Sequence, residues 1–179
     1  MKNRRDKEFV RVFHDLHGHL TARGLKPNCM QFDNEALPEL QTLMKEKCIG
    51  YQLNPPGMHI HNAAERSIRN FKYHFIAGLC VMDPDFPIQN WDRLLEQAKI
   101  MLNLLRPSML NPRLLVYAQL NGEFDFNHNP MAPTVTRNLV HEKPHNRGTC
   151  SLHVHEGWYV RPLMLHYRCL TSYIPKTDK

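Results

Sequence analysis

Asp33 and Glu65 are the two carboxylates whose positions could carry chemistry. Asp33 ends a short run with loose apolar alternation, Asn28–Asp33 (NCMQFD), and Glu65 stands near the start of a long helical pattern. An acid at a strand tip and one in the first turns of a helix can converge on one hard divalent cation, which takes oxygen ligands. Two such cations about 4 Å apart would serve in-line phosphoryl transfer. The same residues have a plainer use. Asp33-Asn34 can cap the following helix, and Glu65 can pair with Arg69 one turn later. Arg69 and Lys72 continue the Glu65 stripe at steps of four and three, so they share a face. A carboxylate followed by two cations suits a solvated face, or a metal ligand beside cations that hold nucleic-acid phosphates.

Other groups carry weaker signals. His14, His17 and His19 fall on one predicted helix, and His59 and His61 precede the Glu65 turn. A His-x-x-His pair is half of a zinc site, but no Cys pair with the complementary spacing exists, so these read as surface histidines. His153 and His155 alternate on one strand face and read as solvated. The five cysteines are scattered, without a CxxC, which indicates reduced thiols in an intracellular protein, in nucleus or cytoplasm. Cys29 has no motif His nearby and is a poor nucleophile candidate.

The positioning elements follow from periodicity. Residues 3–23 predict an amphipathic helix with Phe9, Phe13, Leu16 and Leu20 as its stripe and Gly24 as its stop. Strands are predicted at 28–33 and 48–53, with a helix at 36–47 between them and Asn54-Pro55-Pro56-Gly57 as a breaker after the second. The helix 58–79 follows, its apolar Ala64, Ile68, Phe71, Phe75 and Leu79 stepping by three and four. Strands joined through helices argue a parallel or mixed α/β sheet. Two strands are few for three helices to cover, so one face of the 3–23 and 60–80 helices is expected to be under-packed. Further helices are predicted over 91–105 and 112–121. After Gly122 the texture becomes four or five short β-like runs (NLVHE, SLHVH, GWYVRP, LHYRCL, SYIP), which reads as a small barrel.

Composition bounds the partners. The chain has 179 residues with a formal net charge of +6, which favours a polyanionic partner. The basic residues Lys2, Arg4, Arg5, Lys7, Arg66, Arg69, Lys72, Arg137, Arg147, Arg161 and Arg168 are spread out rather than massed. No apolar run approaches the roughly 18 residues of a membrane span, and the charged MKNRRDKEF opening does not read as a signal peptide.

Three stretches then act together: Phe32-Asp33-Asn34-Glu35-Ala36, Leu53-Asn54-Pro55-Pro56, and His61-Asn62-Ala63-Ala64-Glu65-Arg66-Ser67-Ile68-Arg69. With Trp91-Asp92, Leu104-Leu105-Arg106-Pro107-Ser108 and Tyr117 to Gly122, they resemble the integrase of a copia-type long-terminal-repeat retrotransposon, over nearly the whole chain. The resemblance implies an α/β fold: a truncated ribonuclease-H-like core at 1–122, short of its first three strands, followed by a small SH3-like β-barrel at 125–176. It implies that Asp33 and Glu65 are the second and third of three acids holding Mg²⁺ or Mn²⁺ for DNA integration. Arg69 and Lys72, with Arg66 and Asn62, fall where that family contacts DNA. The first Asp would lie upstream of Met1, since Asp6 and Asp15 are on a predicted helix.

The expected protein is therefore a polyprotein-derived integrase fragment. It would bind DNA, could form homo-oligomers, would hold metal weakly and would lack catalytic competence. Two alternatives stand beside it: an active Mg-dependent polynucleotidyl transferase if the first Asp is supplied, and a pseudogene product with no nucleic-acid role. Val135 and Arg161 are expected at turn positions that suit Gly, and Cys150 where related barrels carry an aromatic.

Overall fold

The computed structural model describes residues 6–32, 38–55, 63–150 and 152–175. The fold is mixed α/β, and by its contacts the chain divides into two compact units, 1–70 and 71–179. That division falls inside one helix, whereas the change of sequence texture lies near residue 122.

The first unit contains helix α1 (Asp6–Thr21), strand β1 (Cys29–Phe32), helix α2 (Pro38–Glu46) and strand β2 (Gly50–Leu53). β1 and β2 pair in parallel, Cys29 opposite Gly50 and Phe32 opposite Leu53. Alternation along β1 turns Met30 and Phe32 to one side and leaves Cys29 and Gln31 exposed. The inward side meets a core of Phe13, Leu40, Met44 and Ile49, with Leu43 and Tyr51 at its margin. The apolar stripe of α1 is only partly used: Phe13 is buried, whereas Leu16 is 48% exposed.

Both helices of this unit end in the same device. At α1, Leu25 N–H donates to Leu20 O and Gly24 N–H to Thr21 O, each at 3.0 Å, with Gly24 at φ 74°. At α2, Ile49 N–H donates to Met44 O at 2.9 Å and Cys48 N–H to Lys45 O at 3.1 Å. These paired bonds are Schellman caps, whose left-handed residue is usually Gly. Gly24 fits that expectation; Cys48 fills the same role at φ 55°.

Helix α3 (Ala63–Cys80) runs from the first unit into the second and has no buried residue. Ala64 and Ile68 of its predicted apolar stripe are exposed, while Phe71, Phe75 and Leu79 are half-buried. In the second unit, Phe75, Leu79 and Met82 pack on a core of Phe86, Leu94, Val135, Val160 and Tyr173. The predicted 91–105 helix is two pieces. A 3-10 turn covers Ile88–Leu94, with Asn90 at non-helical φ −91° and ψ 21°, and helix α4 covers Leu95–Leu105. Helix α5 is Val116–Asn121 rather than 112–121, because Leu115 is extended and bridges Pro107. Gly122 ends it at φ 84°.

The C-terminal part differs most from expectation. Among the described residues it forms a three-stranded antiparallel sheet, β3 (Arg137–His141), β4 (Val154–Pro162) and β5 (Leu170–Tyr173), in the order β3-β4-β5. It does not close into a barrel. The HVH end of SLHVH and the GWYVRP run largely merge in β4, and LHYRCL is mostly turn. A register shift against β5 between Tyr159 and Arg161 leaves Val160 as an extra residue. This bulge lets the consecutive Tyr159 and Val160 both be buried, at 2% and 3% exposure, which breaks the alternation a sequence reading relies on. Gly157 is required by close approach: a Cβ there would lie 2.7 Å from Tyr173 O. Val135 sits at a strained φ of 62°, as expected, but Arg161 lies within β4 and the second strained position of this region is Arg168, φ 54°. Cys150 is an exposed free thiol, as are the other four cysteines.

Candidate nucleic-acid interface

Glu65 lies in the first turn of α3 and is partly buried; Arg66, Arg69 and Lys72 follow it on the same helix with exposed side chains. Asp33 and Asn62 lie outside the described residues, and so does any pairing of Asp33 with Glu65. Among the described residues no group of three or more His, Cys, Asp or Glu could hold a metal ion. Glu65 is thus the one expected metal ligand whose position is known.

What precedes Asp33 is well fixed. Phe32 O accepts the Asn54 N–H at 2.9 Å, which ties the end of β1 to the residue after β2. Asn54 is buried, and its Oδ1 accepts a short hydrogen bond from Gln31 Nε2. Its Nδ2 is buried without a partner among the described residues. Sequence reasoning took Asn54 for the first residue of a breaker. An Asn between a strand and two prolines, where few backbone donors remain, was the available signal that its amide does more.

The other basic residues divide by what they touch. Arg137 is consumed within the second unit. Its Nε donates to Asp83 Oδ2, while its Nη2 donates to Asp83 Oδ1 at 3.3 Å and to Asp85 Oδ2. That hydrogen-bonded guanidinium, helped by the Asp85 N–H, pulls the Asp83 carboxyl from its ordinary 3.8 down to about 2. Arg161 donates to Glu96, and Arg147 Nε to Glu142 O at 2.7 Å. Arg168 is exposed, and Lys2, Arg4 and Arg5 lie outside the described residues. The eleven-member basic set therefore reduces, among side chains both described and unpaired, to Arg66, Arg69, Lys72 and Arg168.

The histidines do not assemble into a ligand set. His14 and His19 are exposed on α1, and His19 meets Arg23 Nη1 at 3.0 Å. His155, expected to be solvated, is half-buried, with Nε2 3.5 Å from Glu142.

The comparisons with known proteins are sparse. No protein-family model matches the chain, and no curated protein matches it. Among solved structures, the chain is similar to one from the simian T-cell lymphotropic virus intasome in complex with PP2A regulatory subunit B56 gamma. The identity is 14% and the TM-score 0.41, over 91% of this chain and 63% of that one, so the chain spans less than two thirds of the length of the chain it matches.

Proposed function

We propose that this protein is a DNA-binding derivative of a retrotransposon polyprotein integrase, one that does not itself catalyse DNA integration. The reading takes residues 1–122 as ribonuclease-H-like in ancestry and 125–176 as the SH3-like part. The observation that carries it is the run of exposed cations Arg66, Arg69 and Lys72 behind Glu65 on α3. Three such side chains contact phosphates at a spacing set by the helix alone. By the resemblance, Asp33 and Glu65 stand at two of the family's three acid positions. The other aspartates before Asp33, Asp6 and Asp15, lie on helix α1, not on a strand. Two carboxylates hold Mg²⁺ or Mn²⁺ weakly.

Binding of duplex DNA, followed by fluorescence anisotropy from about 50 to 200 mM salt, tests the reading. Affinity is expected to fall steeply with salt. Arg69→Ala with Lys72→Ala should weaken binding across sequences and flatten the logarithmic salt slope by roughly two. Salt-independent binding, or an unchanged double variant, sinks the interface. Strand transfer in Mn²⁺ tests the second half. Activity that Glu65→Gln abolishes would show that the acid set is complete.

A further inference from the structure

We propose that the hairpin between α4 and α5 docks on an anionic lipid surface, with Met109 and Leu110 entering the headgroup boundary and Arg106 and Arg113 meeting the lipid phosphates. The proposal goes beyond the nucleic-acid reading and uses none of the residues of that interface. Among the described residues no helix is long and apolar enough to cross a membrane, so the contact is one that lies on the surface.

The hairpin is closed by the Pro107–Leu115 bridge, by Ser108 N–H donating to Leu114 O at 2.8 Å, and by Val116 N–H donating to Arg106 O at 2.9 Å. At its tip Met109 is 97% exposed and Leu110 72%. A hydrogen-bonded hairpin holds these side chains in water, where they raise the free energy of the lone chain.

The backbone of the tip is prepared to leave water. Hydrocarbon offers no partner to an N–H group, so a segment that enters it must satisfy its donors internally. Pro107 and Pro112 carry no N–H to satisfy. Buried Ser108 accepts on Oγ from the Leu110 N–H at 3.2 Å and from the Asn111 N–H at 3.5 Å. Asn111 serves the other side of the tip: its Oδ1 accepts the Arg113 N–H at 3.2 Å and its backbone O the Leu114 N–H at 2.9 Å. A loop that stays in water has no need of these bonds, because solvent satisfies the same groups.

Charge and shape select the occupant. The sequence has no Asp or Glu between Glu96 and Glu123, whereas Lys99, Arg106 and Arg113 fall in that stretch, all three exposed. Clustered cations beside an apolar tip suit a surface of anionic headgroups. A protein groove also takes an apolar tip, but a convex tip of two residues covers far less than the roughly 800 Å² a side of a stable protein interface. A bilayer is fluid and closes around a protrusion of any shape, and an interfacial tip needs to enter only about 5–10 Å.

Pelleting of the full chain with sucrose-loaded vesicles tests this, using phosphatidylcholine alone and phosphatidylcholine mixed with phosphatidylserine. The chain is expected to pellet with the mixed vesicles, about tenfold or more tightly than with pure phosphatidylcholine, and to be released by added salt. Met109→Ser with Leu110→Ser leaves the charge unchanged and should weaken binding to mixed vesicles by about tenfold or more, with an unaltered far-ultraviolet spectrum. Arg106→Gln with Arg113→Gln should remove most of the preference for phosphatidylserine. Arg69→Ala with Lys72→Ala should pellet as the wild type does, which separates this surface from the DNA interface on α3. A serine variant that pellets like the wild type, or binding lost in the α3 variant instead of the tip variant, would overturn the proposal. A chain indifferent to vesicles of both compositions would also overturn it, and would leave an acid-lined protein groove as what the tip fits.

Discussion

The two units build sheets of opposite quality. The first pairs two parallel strands of four residues each and buries one side of them under α1 and α2. The second sets a nine-residue strand, β4, between two partners. Its core is bound by aromatic contacts: Phe86 meets Trp158 edge-on at 5.7 Å and Tyr173 at 5.9 Å. It is also cross-braced. Arg137 holds Asp83 and Asp85, Arg161 holds Glu96, and the fully buried Gln97 accepts from Tyr159 Oη while donating to Ala132 O, both at 3.4 Å. In the first unit, the ion pairs of Arg11 with Glu8 and Asp15 are local to α1. The lesson is in α3, one helix with one apolar period. Phe75 and Leu79 find the second unit's core, while Ile68, on the same stripe, is 55% exposed. Periodicity makes an apolar face, but only a sheet wide enough to receive it buries it.

The largest test compares equivalent holes. Met44 and Leu94 are each fully buried, and truncation to Ala should cost about 2–5 kcal/mol in either case, read by denaturant unfolding. Leu94→Ala should lie higher in that range. Its neighbours include the rings of Phe86 and Tyr173, which cannot collapse into the space, whereas Met44 is bordered by half-buried Met30 and Leu43, which can. A larger loss for Met44→Ala would reverse the ranking of the two cores.

A second test addresses the bracing through pH. The carboxyl of Asp83 is lowered in the folded state, so its contribution is complete above the ordinary value of 3.8 and is lost as pH falls through that value toward about 2. Melting temperature should therefore drop over that window, and the drop should be shallower in Asp83→Asn, which has already lost the charge at neutral pH. Equal slopes in the two proteins would mean that the Arg137 clamp does not stabilise the second unit.

The sequence made some of this legible and hid the rest for physical reasons. The parallel β1–β2 pair was readable because the first run alternates loosely, a proline breaker ends the second, and a helix separates them. The stops at Gly24 and Gly122 were readable from residue type. The three-stranded sheet was misread as a barrel because the break between SLHVH and GWYVRP falls at Gly157, a glycine that lies inside β4 where Tyr173 O approaches closely. The Asp83 and Asp85 partnership with Arg137 spans 54 and 52 residues, beyond any local pattern. Of the site, Glu65, Arg66, Arg69 and Lys72 fall on α3 as spacing predicts, while Asp33 and Asn62 lie outside the described residues.

The smallest effect concerns strain, which both units carry with different compensation. Val135 is left-handed at φ 62° but only 1% exposed, so the burial of its side chain offsets the strain. Cys48 is left-handed at φ 55° and exposed, with no comparable burial to set against it. Relieving a left-handed side chain gains roughly 1–2 kcal/mol. The added freedom of Gly in the unfolded chain gives back roughly 0.4–1 kcal/mol. Cys48→Gly should therefore stabilise the first unit by about 0.5–1 kcal/mol. Gly24→Ala, at the matching cap with open space around it, should destabilise by a similar amount. The pair of denaturation midpoints moves in opposite directions if the two caps are equivalent. A destabilising Cys48→Gly would mean that the thiol contributes more to this turn than its exposure allows.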